Sequence, residues 1–376
     1  MDLLDLAAEL VDIPSESHQE TAIADFFERR LRNESQFDVH RIGDSVIAKS
    51  ELGRQHRLVI AGHLDTVPAN DNQHARIEGD RLYGLGACDM KGGLAAQLAT
   101  ALALKDLAVD ATFVFYPCEE VAAEHNGLKH LFETHPDLVQ GDVALLGEPT
   151  SAVIEAGCQG TLRIKALYKG ERAHTARPWK GRNAIHRLSS LLQALDEYVG
   201  RRPVVDGCEY REAMQAVRVE AGVAGNVVPD EATITINYRY APDRSPEEAE
   251  AHVAQLCLEC DQLTIDDHAP PATPALKHPL LDALISRNEL EVRAKLGWTD
   301  VARFASHGIP ASNFGSGDAS LAHTQGEFVE RHEIELVHLA LVELLENGIG
   351  QTPIILSSTF ATPSFTFDSV ISLAAF

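Results

Sequence analysis

Three short apolar runs in the first 150 residues each end in a histidine or an acid, and that repetition constrains the fold more than any other feature. Leu58-Val59-Ile60 leads into His63 and Asp65. Ala111 to Pro117 leads into Glu119 and Glu120, and Asp142 to Gly147 into Glu148. Between the runs, Leu94 to Leu104 and Gly127 to Thr134 carry apolar residues at helical spacing, as do residues 20–32 through Ile23, Phe26, Phe27 and Leu31. Strand and helix in alternation predict an α/β sheet covered by helices on both faces. In such a sheet the functional crevice lies beyond the carboxyl ends of the strands, where these histidines and acids fall.

The middle of the chain has a different texture. Gly160 to Lys169 and Glu231 to Tyr240 alternate side chains like half-exposed strands, and Asn183 to Tyr198 and Pro246 to Glu259 read as helices. After Ala269-Pro270-Pro271-Ala272-Thr273-Pro274 the β/α texture returns. The expected architecture is a discontinuous domain of residues 1–158 and 271–350, interrupted by an α+β two-layer insertion at 159–270. Residues 351–376 contain a single charged residue, Asp368, and have no assigned role.

A formal charge of −24 opposes nucleic acid, because phosphate binding needs a concentrated cationic face. No apolar run approaches the roughly 20 residues a membrane helix needs. The acidic start Met1-Asp2-Leu3-Leu4-Asp5-Leu6 has no basic leader, so a cytoplasmic protein is expected. Six scattered cysteines then read as reduced thiols, and Cys257-x-x-Cys260, without a second pair, as a weak metal or redox signal.

Each candidate site residue has an ordinary reading beside the functional one. His63 and Asp65, two apart in an extended segment, share a face, as a metal-binding imidazole and its orienting acid do; a hydrogen-bonded strand end would look the same. Asp89, in Gly84-Leu85-Gly86-Ala87-Cys88-Asp89-Met90-Lys91-Gly92-Gly93, could cap the helix that follows or place two oxygens between two cations. Adjacent Glu119 and Glu120 could be a solvated face, or one metal ligand beside one general base. His323, in Ala322-His323-Thr324-Gln325, could be structural or a second imidazole for the site. Together His63, Asp89, Glu120, Glu148 and His323 are five ligands, enough for two cations that share one carboxylate.

The order and local sequences His63-Leu64-Asp65, Cys88-Asp89-Met90-Lys91-Gly92-Gly93, Glu119-Glu120, Gly147-Glu148-Pro149-Thr150 and His323 resemble the aminoacylase/carboxypeptidase-like family of co-catalytic zinc hydrolases over about residues 1–345. The resemblance implies a zinc-peptidase-like catalytic domain, a mixed sheet flanked by helices, with an inserted dimerisation or lid domain. It implies two Zn²⁺ ions per subunit, with Co²⁺ or Mn²⁺ as substitutes. His63, Asp89 and Glu148 would hold one ion, and Asp89, Glu120 and His323 the other. Glu119 would be the base, Asp65 the partner of His63, and the peptide after Asp89 would be cis. In Gly170-Glu171-Arg172-Ala173-His174-Thr175-Ala176-Arg177-Pro178, His174 would reach across a homodimer to the oxyanion in the other subunit. Asn226 and Arg239 match positions that contact substrate.

Within the family, Gly160-Thr161-Leu162, Arg177 to His186, Trp298 to Phe304 and Asn313 to Asp318 are most similar to members that act on a succinylated diamino acid. Ser316 departs from them, standing where proline is expected. The substrate is therefore expected to be a small anionic acyl-amino acid, with Arg177, Arg239 and Arg303 as candidate carboxylate partners. An acetylornithine deacetylase, another acyl-amino-acid hydrolase or dipeptidase, and a non-catalytic binding homologue remain open alternatives.

Overall fold

The computed structural model describes residues 2–350, so the expectation for the 351–376 tail lies outside the described residues. An eight-stranded mixed sheet runs in the order Asp38–Ile42, Ser45–Lys49, Asp110–Tyr116, Arg57–His63, Val143–Leu146, Ala311–Asn313, Ile154–Ala156 and Val292–Ala294. Its strands alternate between two buried faces. Leu58, Ile60, Phe113 and Phe115 pack into one core with the helices Leu3–Val11, Thr21–Glu34, Gly92–Ala103 and Arg331–Asn347. Val59, Ala61, Val114 and Tyr116 pack into the other, under Gly127–Thr134 and Val301–Ser306. Burial on both faces explains why these strands read as continuous apolar runs.

Three neighbours in the middle of that sheet, Asp110–Tyr116, Arg57–His63 and Val143–Leu146, are parallel, with His63 paired to Tyr116 and Ala61 to Leu146. Their carboxyl ends therefore lie side by side, about 4.8 Å apart per strand. The three segments that follow them, one with His63 and Asp65, one with Glu119 and Glu120, one with Glu148, emerge at one edge.

A second sheet is wholly antiparallel, in the order Ala213–Ala221, Glu231–Tyr240, Gly160–Lys169, Gln262–Ala269. One face is covered by Ser189–Asp196 and Pro246–Leu256, which bury Leu162, Ile164, Ile234 and Ile236, giving two layers. The helix expected over Asn183 to Tyr198 is shorter, a 3₁₀ turn at His186–Leu188 running into Ser189–Asp196. The helix expected to reach Glu259 stops at Leu256, leaving Cys257 and Cys260 just beyond it. All six cysteines are free thiols. Among the described residues, no helix is long and apolar enough to cross a membrane.

One close approach ties the fold to the site. A Cβ on Gly93, in the first turn of Gly92–Ala103, would drive into the carbonyl oxygen of Gly147, the residue before Glu148. Gly93→Ala gains up to about 1 kcal/mol of helix propensity, but overpacking against backbone costs about 1–3 kcal/mol. The variant is expected to unfold at lower urea concentration than the parent, as followed by circular dichroism.

Candidate metal centre

His63, buried at the end of its strand, directs Nε2 to Asp89 Oδ1 at 3.2 Å. Its Nδ1 lies 3.0 Å from the backbone oxygen of Asp65 and 3.5 Å from Asp65 Oδ1. The Asp65 carboxylate has further work: it accepts hydrogen bonds from the amides of Glu119 at 2.9 Å and Glu120 at 3.0 Å and from Ser17 Oγ at 2.8 Å. Burial alone would raise its pKa, but His63 and the two amides outweigh that and hold it down at about 2. Asp65 thus orients His63 and fixes the start of the Glu119–Glu120 segment together.

Asp89 does not cap a helix. Gly92–Ala103 begins three residues later, the preceding turn is irregular, and the Asp89–Met90 peptide is cis, as the resemblance implied. The amides of Cys88 and Asp89 are instead held at 3.0 and 3.1 Å by Glu327 Oε1. That frees the Asp89 carboxylate to face two imidazoles, Oδ1 toward His63 and Oδ2 toward His323 Nε2 at 3.6 Å. His323 sits in left-handed backbone, φ 62°, and also approaches Glu120 Oε1 at 2.9 Å. The Glu120 carboxylate, opposed by burial, lifts the His323 pKa to about 9.

Ligand atoms of His63, Asp89 and Glu120 lie within 4.8 Å of one another, a spacing that fits a metal ion. Glu148 completes the acid cluster from the neighbouring strand. Its Oε1 is buried with no hydrogen-bond partner among the described residues, and burial together with the Asp89 charge raises its pKa to about 7. A buried carboxylate oxygen left unsatisfied is costly. A cation would satisfy it, so the donor set fits a metal site. Glu119 is pushed well above the ordinary carboxylate range by burial, then by the charges of Glu148 and Asp300.

A cleft of about 910 Å³ opens onto Glu119 and Glu120, walled opposite by Arg163 and Arg239 of the second sheet and flanked by Trp298 and Arg303. Arg239 is half-buried and its guanidinium makes no hydrogen bond or ion pair among the described residues; burial and then the nearby Arg163 lower its pKa. Arg303 Nε lies 2.5 Å from buried Asp300, and its guanidinium stands over the Trp298 ring at 5.3 Å. The other three predicted contacts are elsewhere. His174, Arg177 and Asn226 are exposed, outside the lining of this cleft, with the Thr175 amide on the Asn226 carbonyl at 3.1 Å. Around Ser316, which is buried, the turn is tied by Gly315 N to Thr150 Oγ1 at 3.1 Å and Gly317 N to Glu333 Oε2 at 2.7 Å.

The profile of peptidase family M20/M25/M40 matches residues 59–347, which span the metal centre and the second sheet. The chain belongs to this family. The M20 chain is also 49% identical over 351 residues to a Mycobacterium tuberculosis protein provisionally named succinyl-diaminopimelate desuccinylase DapE, an alignment covering 93% of this chain and 98% of that one. It is 46% identical to the Corynebacterium glutamicum succinyl-diaminopimelate desuccinylase, covering 86% and 90%. Among solved structures it shares its fold with the aminopeptidase PepT of Bacillus cereus, at a TM-score of 0.75 and 19% identity over 92% of this chain and 97% of that one. The Bacillus subtilis YXEP protein, described as a dinuclear metal binding peptidase, superposes at 0.67 with 18% identity over 92% and 98%. This M20 chain is a hydrolase with a candidate metal site.

Ser17, Glu327, Asp300 and Arg163 were not singled out in the sequence. Ser17, Glu327 and Arg163 contact residues far away in the chain, and Asp300 accepts a hydrogen bond from Asn126 at 2.8 Å; no spacing in the sequence signals such contacts. Glu327 had the nearest thing to a signal, standing four residues after His323 in the same short segment.

Proposed function

We propose that this enzyme hydrolyses N-succinyl-LL-2,6-diaminopimelate to succinate and LL-2,6-diaminopimelate. One observation carries the reading: a chain 49% identical over 93% of its length to a protein of that name keeps an uninterrupted set of acids and imidazoles around Asp89. His63, Asp89 and Glu148 would hold one Zn²⁺, and Asp89, Glu120 and His323 would hold a second, with Co²⁺ or Mn²⁺ as substitutes. When bound, the pair of cations polarises the amide carbonyl and acidifies water. Glu119 accepts the proton of the attacking water at its carboxylate and delivers it to the leaving amine. Asp65 keeps Glu119 in place through the Glu119 amide. Arg239 and Arg303 face substrate carboxylates across the cleft. Residues 1–158 and 271–350 act as the catalytic domain, and 159–270 as a dimerisation or lid domain. In a homodimer that insertion brings His174 to the oxyanion of the other subunit, with Arg177 and Asn226 beside it.

A panel of acylated amino acids given to the zinc-loaded enzyme tests the substrate. Succinate release from N-succinyl-LL-diaminopimelate without acetate release from N-acetylornithine supports the reading. The reverse pattern transfers the enzyme to the deacetylases, and no turnover of any member leaves a binding homologue.

Metal uptake by the metal-free enzyme is expected to depend on pH through His323. Its folded pKa of about 9 lies above the ordinary imidazole value, so the protonated ring stabilises the metal-free fold below about pH 6.5, a contribution lost as pH rises through about 9. A cation needs the neutral ring. Zinc affinity measured by calorimetry is therefore expected to rise from pH 6 to 9, with proton release largest at the acid end.

A further inference from the structure

The wall of the cleft opposite Glu119 carries a charge arrangement that the metal chemistry does not use. Arg163, on strand Gly160–Lys169, is paired across the sheet with Asn237 on one side and Asp267 on the other. Between Ile265 and Asp267 the register shifts: those two residues face Ile164 and Arg163, so Asp266 is an extra residue in its strand. A regular pleat would send Asp266 and Asp267 to opposite faces. The bulge re-aims them, and both line the cleft together with Arg163.

Arg163 makes only long ion pairs with these aspartates, which leaves its N–H fork and the Asp267 carboxylate free to hydrogen-bond a ligand. Asp266 Oδ2 is 3.9 Å and Asp267 Oδ2 3.6 Å from the Arg163 guanidinium, beyond hydrogen-bond reach of about 3.2 Å. Arg163 and Asp267 have no hydrogen-bond partner among the described side chains. Asp266 is steadied by Lys165 from the same strand as Arg163, a contact that also lowers the Asp266 pKa and keeps it ionised. Arg163, Lys165, Asp266 and Asp267 sum to zero charge, with both signs presented side by side. That is the complement of an amino-acid zwitterion, which carries a carboxylate and an ammonium on one carbon.

We propose that Arg163, Asp266 and Asp267 form a subsite for the zwitterionic end of the substrate remote from the scissile amide. Arg163 receives the carboxylate through its planar N–H fork, and the two aspartates receive the ammonium. The inference rests on the desuccinylase reading, since in N-succinyl-diaminopimelate three methylenes separate the acylated centre from a free amino-acid centre. It adds the residues that recognise this free centre. Arg239, on the neighbouring strand and with no ion pair among the described residues, remains available for another carboxylate of the same molecule.

The test uses three substrates with the zinc-loaded enzyme: N-succinyl-LL-diaminopimelate, N-succinyl-L-lysine, which lacks the remote carboxylate, and N-succinyl-L-2-aminopimelate, which lacks the remote ammonium. The parent enzyme is expected to favour the first by about 10–100-fold in kcat/KM over each of the others, the range of one charged hydrogen-bonded contact. Arg163→Met is expected to erase the preference over the lysine compound and keep that over the aminopimelate. The double variant Asp266→Asn, Asp267→Asn is expected to do the opposite. Metal content and circular dichroism should match the parent in both. Equal loss on all three substrates, or no loss on any, overturns the subsite while leaving desuccinylation standing. Failure of the parent to release succinate from any of the three overturns the functional reading and the subsite with it.

Discussion

Glu119→Gln is expected to lower kcat by about 10²–10⁴-fold, the usual contribution of a positioned acid–base group, with zinc content unchanged. The amide side chain keeps the size of the carboxylate but cannot accept the proton of water or return it to the leaving amine. The segment should stay in place, because it is held by backbone amides, those of Glu119 and Glu120 on the Asp65 carboxylate at 2.9 and 3.0 Å. Relieving a buried carboxylate that Glu148 and Asp300 crowd should also leave the fold at least as stable. Steady-state succinate release beside elemental analysis decides it. A kcat close to the parent's, far short of the ~10²-fold loss expected, would remove Glu119 from the base role.

Asp89→Ala is expected to remove both metal ions and with them several kcal/mol of transition-state stabilisation, on the order of 10³-fold or more in kcat. The reasoning is geometric. One Asp89 oxygen faces His63 at 3.2 Å and the other faces His323 at 3.6 Å, so in the proposed two-ion centre a single side chain would serve both halves. His323→Ala, by contrast, leaves His63, Asp89 and Glu148 intact and is expected to cost one ion of the two. Metal-to-protein ratios for the two variants test this directly. An Asp89→Ala protein that still holds one ion per chain would mean that its carboxylate is not shared.

Much of the centre was legible from residue order alone, for a specific reason. Where adjacent parallel strands end at one edge of a sheet, the residues after each apolar run must meet, so His63, Glu119, Glu120 and Glu148 could be grouped from patterns along the chain. Asp89 joined them only as a member of the whole five-residue set, because a lone aspartate before a helix reads more readily as a cap. The helices expected over 183–198 and 246–259 are longer than those found because buried residues outside each helix, Ala184 before the first and Cys257 after the second, continue the apolar pattern in backbone that is not α-helical.

The sequence by itself determined the α/β class, the interrupted texture of the chain and the residue types gathered at the strand ends, because hydrophobic period and strand termini are local properties. Only the tertiary structure decided that Asp89 turns its two oxygens to two imidazoles, that Asp65 fixes the Glu119 segment as well as His63, and that a bulge brings Asp266 and Asp267 to Arg163. Those arrangements depend on ångström-scale distances between residues far apart in the chain, Asp89 and His323 the most widely separated, and such distances are set by packing and register, which no local pattern encodes.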